Sequence, residues 1–439
     1  MHGWPSILAH LAADAAMGWA LLSWRPAERT VPETLCLAML LGIYAETLTA
    51  AVLFVLGVPL AATAAAVLGL GLVLVVTALR RRPFRWRIPR ARPRWYEWLL
   101  VVAIAEKLFF VVWLLARTDL YFDDAMTIWA ARARALVGGN WSLDPASPLF
   151  LAGHLRHDIV HYPWLLSLWR ALTATMCGGW DDVVARADGL VFFAIVVAAV
   201  WLAVRRLSAR RWLAAGAAFT VASMPLQAWH AASGYADIAV EAFATVGLAA
   251  ALRGEWLWAG TMAAGAAWSK NDGLVLCVPT LLLGALVSRA GRGRAVLELA
   301  AGFATIAPWL LFKAYHRLGV APNIPSAWHP EAFPLLAQAV LPNPTNGFLW
   351  ISAFACVLIT CRGLWRDPGG RTALAAFAAG CVALVGIFSM TEAYAFLANQ
   401  GTIHRSLLQL SSIAIVTCAY GVDLALRDRA ERQLLPPSE

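Results

Sequence analysis

Long apolar runs, punctuated by short arginine clusters, dominate this chain. They fall near 4 to 23, 35 to 57, 59 to 79, 97 to 116, 183 to 204, 212 to 230, 236 to 252, 256 to 288, 295 to 316, 346 to 364, 372 to 392 and 406 to 425. A helix of about 20 apolar residues satisfies all its own backbone hydrogen bonds while crossing the hydrocarbon layer, so runs of this kind read as membrane spans. With 61% hydrophobic and 14% charged residues and a mean hydropathy of +0.66, little of the 439-residue chain is left for soluble structure. The expected fold is therefore all-α and polytopic, and any chemistry belongs to the loops and helix ends. The seven cysteines (36, 177, 277, 356, 361, 381 and 418) are scattered, mostly within apolar runs, which excludes a disulfide scaffold. The formal charge of +9 resides in clusters between apolar segments, so it marks topology and implies no nucleic-acid partner.

The chain starts Met1-His2-Gly3-Trp4 without a basic leader, and its first apolar run carries His10 and Asp14, so that run reads as a retained helix. The densest cluster is Arg80, Arg81, Arg82, Arg85, Arg87, Arg90, Arg92 and Arg94, stiffened by Pro83, Pro89 and Pro93. Others are Arg205, Arg206, Arg210 and Arg211; Arg289, Arg292 and Arg294; Arg362, Arg366 and Arg371; and Arg427, Arg429 and Arg432. Placing all of them in the cytoplasm predicts about 13 crossings, with the N-terminus outside and the C-terminus inside. That count requires 256 to 288 to be two short helices broken near Asn271 and Gly273, and Pro163 to Cys177 to lie along the outer interface. Trp164, Trp169 and Trp180 suit a helix resting at headgroup level.

This orientation puts the polar segment 117 to 162 and the islands Ser233 to Asp237, Gly319 to Gly347 and Thr391 to Arg405 on the outer side. Asp123 and Asp124 stand at a membrane exit, followed by Trp129, Arg132 and Arg134; an acid pair there either caps a helix or carries function. His154, His157, Asp158 and His161 have the donor types of a divalent-metal site, although solvated loop histidines look the same. Gly234, Tyr235 and Asp237, with Glu241 one turn on, open a helix whose N-terminus favours a carboxylate. Lys270, Asn271 and Asp272 sit inside an apolar run, where a charged residue costs about 2.5–3.5 kcal/mol on insertion scales, so neither capping nor surface exposure accounts for them. His404 and Arg405 open the last run; Arg405 suits a phosphate oxygen pair or a snorkelling contact with lipid.

In this order the islands resemble the GT-C superfamily of polytopic membrane glycosyltransferases, and more closely a bacterial group within it. The matching elements are Asp123, Asp124, Trp129 and Arg132; His161, Tyr162 and Pro163; Gly234 to Asp237; Trp268 to Gly273; and Arg405. The match covers about residues 97 to 425. It implies a catalytic core over 97–425, preceded by spans 1–79 of unassigned role and a basic cytoplasmic linker 80–96, and followed by a cytoplasmic tail 426–439. The chain departs from the pattern in carrying Arg132 and Arg134 where Lys is expected, Asp272 for Glu, and no acid just before Tyr162.

What the resemblance implies is transfer of a sugar from a polyprenyl-phosphate donor to a glycan or lipid acceptor on the outer face of a bacterial inner membrane. Inverting transfer needs one base, for which Asp123 or Asp124 fits. It also needs cations at the departing phosphate, for which Lys270 and Arg405, with His404 beside them, fit. Trp129, Arg132, His161, Tyr162, Tyr235, Asp237, Asn271 and Asp272 are then expected around sugar and acceptor. Metal dependence varies in that superfamily, so no cofactor is fixed and a divalent ion stays open. A transporter or flippase for a lipid-linked sugar is the competing expectation, with Lys270 and Asp237 as a pathway ion pair.

Overall fold

The computed structural model describes residues 4–81, 86–87, 94–118, 124–288, 291–319, 326–398 and 400–434. Asp123 lies outside them, as do Arg82, Arg85, Arg90 and Arg92 of the linker. Among the described residues the protein is all-α apart from one two-residue parallel strand pair, Arg29–Thr30 with Trp86–Arg87. The helices are α1 (Trp4–Leu22), α2 (Val31–Val55), α3 (Leu60–Arg81), α4 (Trp95–Arg117), α5 (Ala131–Val137), α6 (Leu165–Met176), α7 (Ala187–Leu207), α8 (Arg211–Ala222) and α9 (Pro225–Ser233). They continue as α10 (Asp237–Leu252), α11 (Trp256–Ser269), α12 (Asn271–Val287), α13 (Arg292–Phe303), α14 (Ala307–Tyr315), α15 (Ala332–Val340), α16 (Leu349–Arg366), α17 (Pro368–Ser389) and α18 (Gly401–Leu434).

Among the described residues, nine helices are long and apolar enough to cross a membrane, or up to ten if the bent pair α9 and α10 forms one span. The shortfall from about 13 comes from helices such as α8 and α11, whose 12 and 14 residues reach only about 18–21 Å. As expected, 256 to 288 forms two helices, broken at Lys270, whose extended backbone (φ −157°, ψ 149°) separates α11 from α12.

One expectation fails. Leu165 to Ala174 of α6 are all buried in protein, so α6 is not a helix resting on headgroups. Trp169 stacks on His10 at 5.2 Å and donates to Asp14 at 2.9 Å; the partners it finds are side chains of α1, not lipid.

The described basic clusters gather at one end of the bundle. There Arg29 pairs with Glu255 (2.8 Å), Arg253 with Glu33 (2.7 Å), Arg25 with Glu298 (2.5 Å) and Arg210 with Asp423 (2.5 Å), tying together turns far apart in sequence. At the core lies α10, apolar nearly all round and buried from Asp237 to Leu248, as a helix enclosed by other helices must be. Its polar residues Asp237, Glu241 and Thr245 recur every four positions and so form one stripe. That stripe faces α18: Glu241 accepts from Ser411 Oγ (2.8 Å) and the Ser412 amide (3.2 Å), and Thr245 Oγ1 lies 2.5 Å from Ser412 Oγ. Gln227 closes the seam, donating to Glu241 at 2.6 Å.

Candidate active site

The site forms where the polar seam reaches the end of the bundle opposite the arginine clusters. Gly234 makes the turn from α9 to α10 with φ +82°, a left-handed conformation that glycine adopts without strain. Two fully buried arginines brace that turn. Arg170 donates to Gly234 O (2.8 Å) while paired with Asp188, and Arg186 donates to Ala232 O (3.0 Å). The turn fixes Asp237 in the first residue of α10, fully buried.

Both Asp237 oxygens are taken by side chains. Oδ1 accepts from Lys270 Nζ (2.9 Å) and Gln409 Nε2 (2.8 Å); Oδ2 accepts from Arg405 Nε (3.2 Å) and Nη2 (3.1 Å). Such a carboxylate is too fully engaged to take a substrate proton; it holds two cations in place. Lys270 also donates to Asp272 (2.6 Å), which accepts from Gln409 at 3.2 Å. His230 Nδ1 stands 3.6 Å from Asp237. The guanidinium of Arg405 lies over the Tyr235 ring, 4.5 Å from its centroid, which fixes the plane of its fork.

Asp124 completes the cluster. It opens the π-helical turn Ala125–Ala130 but makes no capping hydrogen bond with its side chain, so capping does not account for it. Its Oδ2 accepts from Arg405 Nη1 (2.7 Å) and its Oδ1 lies 3.5 Å from Arg156 Nη1. Arg156 in turn pairs with Asp158 (2.7 Å) and donates to Thr127 (3.0 Å). The side chain of Asp124 is 20% exposed, that of Arg405 21% and that of Asp272 33%, against none for Asp237, so these three form the accessible part of the cluster.

Other expected residues take supporting positions. Trp129 and Arg132 are buried behind the cluster. Arg132 donates to the carbonyls of Tyr162 and Pro163, both at 2.9 Å, and Trp129 meets the Tyr162 ring edge-on at 5.5 Å. Asn271 and Lys313 converge on the carbonyl of His161, at 3.1 and 3.0 Å. These contacts pin the His161-Tyr162-Pro163 loop against the site. Burial holds the Tyr162 phenol above its ordinary range, with Lys270 opposing and Asp124 and Asp272 adding to the shift, so it stays a neutral hydrogen-bond donor. His404, expected at the phosphate, instead turns to Asn346 (2.9 Å).

No protein-family model, curated protein or solved structure matches this chain. Its chemistry has to be read from the side chains themselves. Among the described residues, the one group of three His, Cys, Asp or Glu whose ligand atoms lie within 4.8 Å of one another is His10, Asp14 and Glu46. The histidines of the 154 to 161 loop do not form such a group. Gln409, His230 and Lys313 were not anticipated from sequence. Gln409 carried a signal, since it follows Arg405 by one helical turn within an apolar run.

Proposed function

We propose that this protein is a GT-C-type membrane glycosyltransferase that moves a sugar from a polyprenyl-phosphate donor to an acceptor hydroxyl at the outer face of a bacterial cell membrane. In this reading the arginine end is cytoplasmic and the chain passes 13 times between the two ends, the short helices α8 with α9, α11 and α12 counting as traverses. The observation that carries the proposal is the meeting of Asp124, Arg405, Asp237, Lys270 and Asp272 in one ion-paired cluster at the opposite end.

The cluster has the parts a single displacement needs. A carboxylate, Asp124, takes the proton of the attacking hydroxyl. Arg405 and Lys270, fixed by Asp237, stabilise the charge that grows on the departing phosphate, and they do so without reorganising because their partner is immobile. In the resting protein Arg405 also neutralises Asp124. A phosphate competing for Nη1 of Arg405 would release Asp124 from the nearer of its two arginine partners and leave Arg156 at 3.5 Å, so donor binding raises the basicity of Asp124.

A transfer assay with membranes containing the protein and radiolabelled polyprenyl-phosphate sugars tests the reading. The expected result is sugar moved to an acceptor, and at least a tenfold weaker donor affinity in Arg405→Ala. Unchanged affinity would move the phosphate site elsewhere. Donor moved across the bilayer with no transfer would instead favour a transporter.

A further inference from the structure

A second buried polar site lies in the first two spans and shares no residue with the cluster above. Helices α1 and α2 pack in near-contact: a Cβ at Gly18 would meet Ala38 O at 1.8 Å, and one at Gly42 would meet Asp14 O at 1.9 Å. Small residues that let backbones approach are a usual device of membrane helix pairs. Here the approach carries His10 and Asp14 of α1 against Glu46 of α2, all three at most 2% exposed. His10 Nε2 lies 2.8 Å from Glu46 Oε1 and 4.0 Å from Asp14 Oδ2. Asp14 Oδ1 is buried with no hydrogen-bond partner. Together with Met17, Val67 and Gly71 the three line a cavity of about 220 Å³ between α1 and α3.

Hydrogen bonding sets the imidazole tautomer. Thr173 Oγ1 has one proton and gives it to Trp169 O (2.8 Å), so at its 2.9 Å contact with His10 it accepts, and Nδ1 is the donor. The second nitrogen, Nε2, is left facing two carboxylates. This is how a ligating histidine is prepared, with an outer partner fixing the ring and the free lone pair aimed at the ion. Trp169 Nε1, donating to Asp14 Oδ2 at 2.9 Å, orients the second ligand in the same way.

Charge gives the valence. Two carboxylates and a neutral imidazole inside a bilayer need two positive charges, supplied by two protons or by one divalent ion. No protein donor reaches Asp14 Oδ1. We infer that His10, Asp14 and Glu46 bind one divalent transition-metal ion of the Zn²⁺ type, with a fourth position open to the cavity. One nitrogen and two oxygen donors with an open position suit that ion, and loading exchanges two protons for it.

The test uses the full chain, purified in detergent through a tag without histidine, stripped with chelator and titrated with Zn²⁺ or Co²⁺ alone. The expected result is one equivalent bound, visible absorption bands from bound Co²⁺, and loss of both in Glu46→Gln. Thr173→Val, which keeps all three ligands, should weaken binding about 10- to 100-fold. Wild-type protein that takes up no Co²⁺, or Co²⁺ uptake unchanged in both variants, would overturn the site; in the first case the trio shares protons. The wild-type spectrum decides even where Glu46→Gln fails to fold, and none of these readouts depends on sugar transfer.

Discussion

Arg405 Nη1 lies 2.7 Å from Asp124 Oδ2, although 281 residues separate the two. Asp124 follows the fourth helix and Arg405 opens the last, so most of the chain must fold correctly before they meet. The same guanidinium reaches Asp237, and it is therefore the hinge between a fully buried acid and an accessible one.

Asp124→Asn keeps the shape of the side chain but removes its basicity. Transfer should fall by about 10²- to 10⁴-fold with expression near normal and donor binding no weaker than in the wild type, since a neutral Asn competes less for Arg405. Radiolabelled-sugar transfer by purified protein measures it, and retained turnover would pass the role of base to another group.

Asp237→Ala should destabilise the protein, because Lys270 and Arg405 lose the carboxylate that compensates them inside the bundle. Breaking a buried pair from one side costs about 3–5 kcal/mol. Thermal unfolding in detergent reads the loss. In the double variant with Arg405→Ala the two losses should sum to less than their separate values, since one cation goes with its partner. Strict additivity would mean that the pair is not coupled.

Topology is open to cysteine labelling in a cysteine-free background. Asp158 is a poor site, being buried against Arg156, whereas Ala146 is exposed in the same loop. A cysteine at 146 should react with an impermeant reagent added outside intact cells, and one at exposed Gly293, at the arginine end, should not. The opposite pattern would invert the orientation.

Gly42→Leu places a side chain where a Cβ already meets the Asp14 carbonyl at 1.9 Å. Helices α1 and α2 must separate, at a cost of about 3 kcal/mol or more. A lowered unfolding midpoint is the expected readout; wild-type stability would show that the helices do not pack so closely.

The residue pattern alone determined that this chain is a helical membrane protein, that most of its charge lies between the apolar runs, and that a few ionisable groups such as Lys270 lie within them. Hydrophobic length and arginine spacing are local properties, and burying a charge in lipid is expensive enough that Lys270 stood out without any structure. The break at Lys270 was equally legible, since a charged, glycine-containing stretch interrupts the apolar run there. What only the tertiary structure decided is which charges meet. Asp237 could have been a simple helix cap, and it proves to be the anchor for Lys270 and Arg405. The run from Pro163 to Cys177, with Trp164 and Trp169, carries the amphipathic pattern of a headgroup helix, yet α6 packs against α1 and α2, because tryptophan finds a buried acid as readily as an interface. Nor could any local pattern join His10 and Asp14 to Glu46: each is a lone polar residue in an apolar run, and only the close packing of two helices makes them a group.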